Sequence, residues 1–190
     1  MLKENINLQK DNILIHGNEG TGKTLFIESI YTKVFPSNRK VILFTESSLK
    51  SHFISVVASN KFREVSTDLS ILKSSLKNMY CGDLNNTTIL IDLSDTVMVE
   101  GGLINLLKRF LNSEDKNNNN IILTCNNKSL YSALDFDYYL ICYKNKQGTM
   151  IIEEDCQNFS SNNINFCATM NTFSSDFGGD LLKVITLNDN

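Results

Sequence analysis

The chain has 190 residues, 42% of them hydrophobic, and a formal net charge of −3. That length suits one α/β domain with a sizeable core rather than two, and the weak negative charge removes any global electrostatic case for nucleic-acid binding. No apolar run approaches the roughly 20 residues that span a bilayer, and Met1-Leu2-Lys3-Glu4-Asn5 is neither a signal-peptide core nor an Arg-rich transit sequence, so an intracellular protein without a membrane partner is expected.

A strand is predicted from about Asn12 to His16. It runs into Gly17-Asn18-Glu19-Gly20-Thr21-Gly22-Lys23-Thr24, the full G-x-x-x-x-G-K-T phosphate-binding pattern, and a helix is predicted from Lys23 to about Val34. The pattern between a strand and a helix is far more specific than the letters alone. Its glycines let successive N–H groups turn inward at phosphate oxygens, and the helix N-terminus adds partial positive charge. Lys23 suits the β- and γ-phosphates and the Thr24 hydroxyl suits Mg²⁺, so ATP with Mg²⁺ is the expected ligand.

Phe35-Pro36-Ser37-Asn38 stops the helix. The apolar run Val41 to Phe44 is a buried parallel strand ending on Thr45-Glu46, and Ser51 to Ala58 reads as a short helix. Leu69, Leu72, Leu76 and Met79 have helical spacing within Asp68 to Tyr80. Thr88 to Ile91 is the next buried strand, ending on Asp92, a carboxylate suited to the metal side opposite Thr24. Leu93 follows, where AAA+ ATPases usually place a catalytic Glu. Asp95 reads as a loop carboxylate. Gly101-Gly102 precedes an amphipathic helix carrying Leu103, Leu106, Leu107 and Phe110. The run Asn117 to Asn120 reads as padding in a surface loop. Ile121 to Thr124 is a fourth strand, and Thr124 and Asn126 at its end are the candidates for sensing the γ-phosphate. Tyr138 to Tyr143 and Thr149 to Glu153 read as a hairpin, and Ile164 to Met170 with Leu181 to Leu187 as a further antiparallel pair.

Alternating strands and helices give an α/β fold, a mostly parallel sheet flanked by helices with a C-terminal antiparallel β-meander. One domain is expected over residues 1–190, with a core at 12–135 and a β extension at 136–190. Five scattered cysteines (81, 125, 142, 156 and 167) without a C-x-x-C pair, and only His16 and His52, indicate buried reduced thiols rather than zinc. The three arginines offer no arginine finger: Arg39 lies at the wrong end of its strand and Arg109 on a solvated helix face. Lys61 and Arg63 beside Phe62, and Lys144 and Lys146 near Tyr143, are the basic-aromatic groupings suited to single-stranded DNA.

The sequence of elements, from Gly17–Thr24 through Thr45-Glu46 and Ile89–Asp92 to Thr124-Cys125-Asn126 and the late hairpin, resembles the RecA-like P-loop ATPases, including recombinase paralogs and the KaiC group. The resemblance covers most of residues 12–155. It implies that Glu46, after the strand that follows the phosphate loop, is the catalytic carboxylate, beside Lys23 and Asp92. The short chain looks most like small accessory ATPases such as the ATPase member of Shu-type complexes. That implies a role in DNA recombination and repair with a recombinase or paralog subunit and single-stranded DNA, in the nucleus of a eukaryote or otherwise the cytoplasm. The rival readings are an AAA+ or DNA-packaging-type motor, a small-molecule or nucleotide kinase, and a nucleotide-switched regulatory module without catalysis.

Overall fold

The computed structural model describes residues 6–46, 59–114, 116–148 and 150–155. The expected helix at Ser51 to Ala58 and the pairs after residue 155 lie outside the described residues. A seven-stranded sheet runs in the order β3-β2-β4-β5-β1-β6-β7. Its strands are β1 (Ile13–His16), β2 (Lys40–Thr45), β3 (Arg63–Ser66), β4 (Thr87–Asp92), β5 (Asn120–Cys125), β6 (Tyr138–Lys144) and β7 (Met150–Glu154). The first six strands are mutually parallel along the sheet, and only β7 is antiparallel to its neighbour. The mostly parallel α/β expectation therefore stands. The hairpin is also present, although β6 enters it as a parallel partner of β1 rather than as the start of a purely antiparallel meander.

Both faces of the central strands are covered, which is why they read as unbroken apolar runs. Leu14, Ile42, Phe44, Ile89 and Ile91 point to one face, beneath α2 (Leu69–Tyr80), α3 (Asp95–Glu100) and α4 (Leu103–Leu111). Ile13, Ile15, Val41, Leu43 and Leu90 point to the other, where α1 (Lys23–Lys33) contributes Phe26, Ile27, Ile30 and Tyr31. The alternation is the period-2 geometry of a strand. Helix α2 starts where the Asp68 side chain accepts from the Ser70 N–H at 2.8 Å, and it buries Leu72, Leu76 and Met79 at i, i+4 and i+7.

Two segments depart from the sequence reading. Strand β3 has one apolar residue in Arg-Glu-Val-Ser, so it gave no hydrophobic signal. It forms because its backbone pairs with β2 at the sheet edge. Its Arg63 is buried, donating to the carbonyls of Arg39, Phe35 and Pro36, so it is not the DNA-gripping residue expected beside Phe62. The segment between α1 and β2 supplies these carbonyls, and a buried guanidinium needs such acceptors. Lys61 instead sits over the Phe62 ring, 5.1 Å from its centroid.

The Asn run is the second departure. Asn117 and Asn118 take positive φ in the turn, but Asn119 and Asn120 are buried, not padding. Asn119 Oδ1 accepts from the Thr87 N–H and its amide donates to Leu84 O. The Asn120 amide donates to Leu8 O and Asp11 O, while its Oδ1 accepts from Thr88 and Arg39. Arg39 is 1% exposed and spends its guanidinium on neutral acceptors: Thr88 Oγ1 at 2.7 Å, Asn86 Oδ1 at 2.7 Å, and oxygens of Gln9, Asn118 and Asn120. Burial lowers its proton affinity to about 10, which leaves it charged at neutral pH. Arg39→Met should therefore cost about 3 kcal/mol, because it strands several buried acceptors at once. Urea denaturation reads this directly, and a loss under about 1 kcal/mol would mean those acceptors find other donors.

Candidate phosphate-binding site

The carboxyl ends of β1, β2, β4 and β5 open onto one cleft of about 430 Å³. Ligand sites in open α/β sheets form at this edge. Of the residues singled out from sequence, Glu19, Gly20, Gly22, Lys23, Thr24, Glu46, Asp92, Thr124 and Asn126 line it. Gly17, Asn18 and Thr21 lie behind, as the frame of the loop. The Gly17 N–H donates to Cys125 O at 3.2 Å, tying the loop to β5, and Thr21 Oγ1 donates to Asn18 O at 2.8 Å.

The glycines are required by space as well as by φ. A Cβ on Gly17 would sit 2.1 Å from the backbone oxygen of Cys142 on β6, and that oxygen belongs to a paired strand that cannot yield. Gly22 has φ 110° at the N-cap of α1, where no side chain caps the first turn. The first N–H groups of α1 therefore have no side-chain acceptor and face the cleft as an anion site.

Lys23 is buried, and its ammonium donates to Gly17 O at 2.7 Å and Asn18 O at 2.9 Å. Burial lowers its pKa, while Cys142, Cys125, Asp92 and Asp95 oppose that shift. Burial pushes the Cys125 thiol up to about 12 and raises the Cys142 thiol as well. Both stay neutral at physiological pH, so the sulfurs beside the loop are packing groups and not nucleophiles. Cys125 and Cys142 are buried as expected, whereas Cys81 is exposed.

Strand order explains how Asp92 is held. β5 lies between β1 and β4, so Thr124 stands beside the acid at the tip of β4. Thr124 Oγ1 donates to Asp92 Oδ1 at 2.5 Å, and the residue is 1% exposed. Its hydroxyl thus orients the acid. Thr124→Val should lower nucleotide turnover about tenfold, the worth of one charge-assisted hydrogen bond. An unchanged rate would show that Asp92 holds its pose alone.

Glu46 Oε2 and Oε1 accept from the backbone N–H and the hydroxyl of Ser94, each at 3.3 Å. Ser94 also caps α3 by accepting from the Val97 N–H. Sequence reading missed this residue, although Ser before a helical run is a capping signal. Asp95 is not a loop carboxylate. It opens α3 and accepts from the N–H groups of Asn126 and Asn127 and from Tyr131, fixing the chain beyond β5. Leu93 is buried at this edge, belonging to the core cluster and also lining the cleft.

The donor set fits a magnesium nucleotide: an uncapped helix start, a buried cation on the loop carbonyls, and Thr24 and Asp92 on one cleft. Among the described residues no His/Cys/Asp/Glu cluster forms a metal site by itself. The signature of the ATPase family associated with various cellular activities (AAA) matches residues 13–137. No curated protein sequence matches the chain. Among solved structures, the chain is similar to the genome-packaging NTPase B204 of Sulfolobus turreted icosahedral virus 2, determined in complex with sulfate. The similarity is 11% in sequence identity, covers 78% of this chain and 92% of that one, and has a TM-score of 0.48.

Proposed function

The chain belongs to the ATPase family associated with various cellular activities, and we propose that it binds Mg-ATP in this cleft and hydrolyses it to drive or switch a partner protein. The observation that carries the reading is the convergence of Lys23, Thr24, Asp92 and Glu46 on one cleft. Lys23 and the first turn of α1 hold the phosphates. Thr24 and Asp92 would hold Mg²⁺, which supplies charge neutralisation on the phosphoryl oxygens. Glu46 orients a water and accepts its proton on a carboxylate oxygen, with Ser94 holding the carboxylate in place.

The family match supports the motor reading over the recombination-accessory reading drawn from the resemblance. An intracellular setting is proposed with it, because ATP is an intracellular substrate. A second protein subunit is the proposed partner. Single-stranded DNA remains a stimulus to test through Lys144 and Lys146, both exposed near the β6–β7 turn. Phosphate release should be measured for the wild type with and without single-stranded DNA, alongside molecular mass with and without ATP. ATP-dependent assembly supports the motor, whether or not DNA stimulates turnover. Stimulation by DNA without assembly returns the recombination reading, and absence of ATP binding ends both.

A further inference from the structure

The family match stops at residue 137, yet the hairpin beyond it is packed onto the phosphate loop. Gly17 is wedged against Cys142 of β6, and a Cβ on Gly22 would meet the Met150 sulfur of β7 at 2.6 Å. Asp155, directly after β7, is buried, and its Oδ2 lies 2.7 Å from His16 Nε2 and 2.5 Å from Lys128 Nζ. A carboxylate only accepts, so the His16 nitrogen facing it carries the hydrogen. The Asp155 N–H donates to Tyr139 O, fixing the residue against β6.

The two donors stand at meaningful places. His16 is the last residue of β1 and immediately precedes Gly17, the first residue of the loop. Lys128 opens the 3-10 turn Lys128–Tyr131, two residues after Asn126, which lines the cleft. One buried carboxylate therefore joins the entry of the phosphate loop to the segment leaving β5.

We propose that Asp155 is a positioning residue of the phosphate site, setting the pose of the loop and of Asn126 through His16 and Lys128. This rests on the cleft binding Mg-ATP. A residue that only stabilises the fold would lower the folded fraction and leave the affinity of the folded molecules alone. A positioning residue changes affinity in molecules that remain folded.

The test measures the dissociation constant of a fluorescent ADP and of Mg-ATP by titration, with thermal melting in parallel. The variants are Asp155→Asn, Lys128→Met and, as a stability control, Arg63→Gln at the far edge of the sheet. The expected result is a loss of affinity of about tenfold or more in Asp155→Asn and a smaller loss in Lys128→Met. Arg63→Gln should melt earlier and bind as the wild type does. Wild-type affinity in both Asp155→Asn and Lys128→Met overturns the positioning role. If Asp155→Asn does not fold, Lys128→Met alone decides, because its ammonium is partly exposed and its loss leaves the core intact. A wild type that binds neither nucleotide overturns the ATP reading instead.

Discussion

Lys23→Ala should lower ATP turnover by about 10²–10³ and weaken nucleotide binding, with little change in melting temperature. Lys23 is the one cationic side chain lining the cleft among the described residues. Two of the chain's three arginines, Arg39 and Arg63, are buried and committed to scaffold oxygens. Arg109 sits exposed in the last turn of α4, which leads toward the opposite end of β5 from the cleft. Among the described residues no other cationic side chain lines the cleft to neutralise charge developing on a phosphoryl group. Stability should respond differently. The folded-state pKa of Lys23 lies below 10.5 because burial disfavours its charged form. Below that folded pKa the cation costs the native state stability. The unfolded chain holds the proton more tightly in the window up to 10.5, so the cost fades as pH rises through it. Wild type should gain stability relative to Lys23→Ala across that alkaline window, read by denaturant melts at stepped pH. A variant with wild-type turnover would remove Lys23 from the chemistry.

What the sequence disclosed was local. The strand Ile13–His16, the loop and the helix from Lys23 are contiguous, and each has its own signal of apolar run, glycine spacing or period. Relations across the sheet were hidden. Nothing near Thr124 says that β5 lies beside the acid-bearing strand, so its hydrogen bond to Asp92 was hidden, although its place on the cleft was not. Asn119 and Asn120 looked like low-complexity padding, because their partners are 32 to 112 residues away. Strand β3 escaped because an edge strand held by backbone pairing needs no apolar pattern. Leu93 was read as a departure from AAA+ ATPases, yet the family signature spans it. Leu93 is 6% exposed and lines the cleft with a side chain that cannot accept a proton, so the proposed water-facing carboxylate belongs to another strand.

That strand is β2, and Glu46→Gln should cut turnover by about 10²–10⁴ while nucleotide affinity stays within about twofold. Three carboxylates line the cleft: Glu19, Glu46 and Asp92. Asp92 accepts from Thr124 and is the proposed metal-side acid, and an acid engaged by a metal is a poor acceptor for a water proton. Glu19 lies in the loop itself and is exposed. Glu46 stands on the adjacent strand tip, paired across from Asp92 through Thr45, with both oxygens steadied by Ser94. The amide keeps the size of the side chain and can still accept from Ser94, so it removes proton acceptance and little else. Single-turnover hydrolysis separates this from a binding defect. Glu19→Gln serves as the companion variant and should keep wild-type turnover. If instead Glu19→Gln is the slow variant and Glu46→Gln is not, the water sits on the loop side of the cleft and the base comes from the phosphate loop.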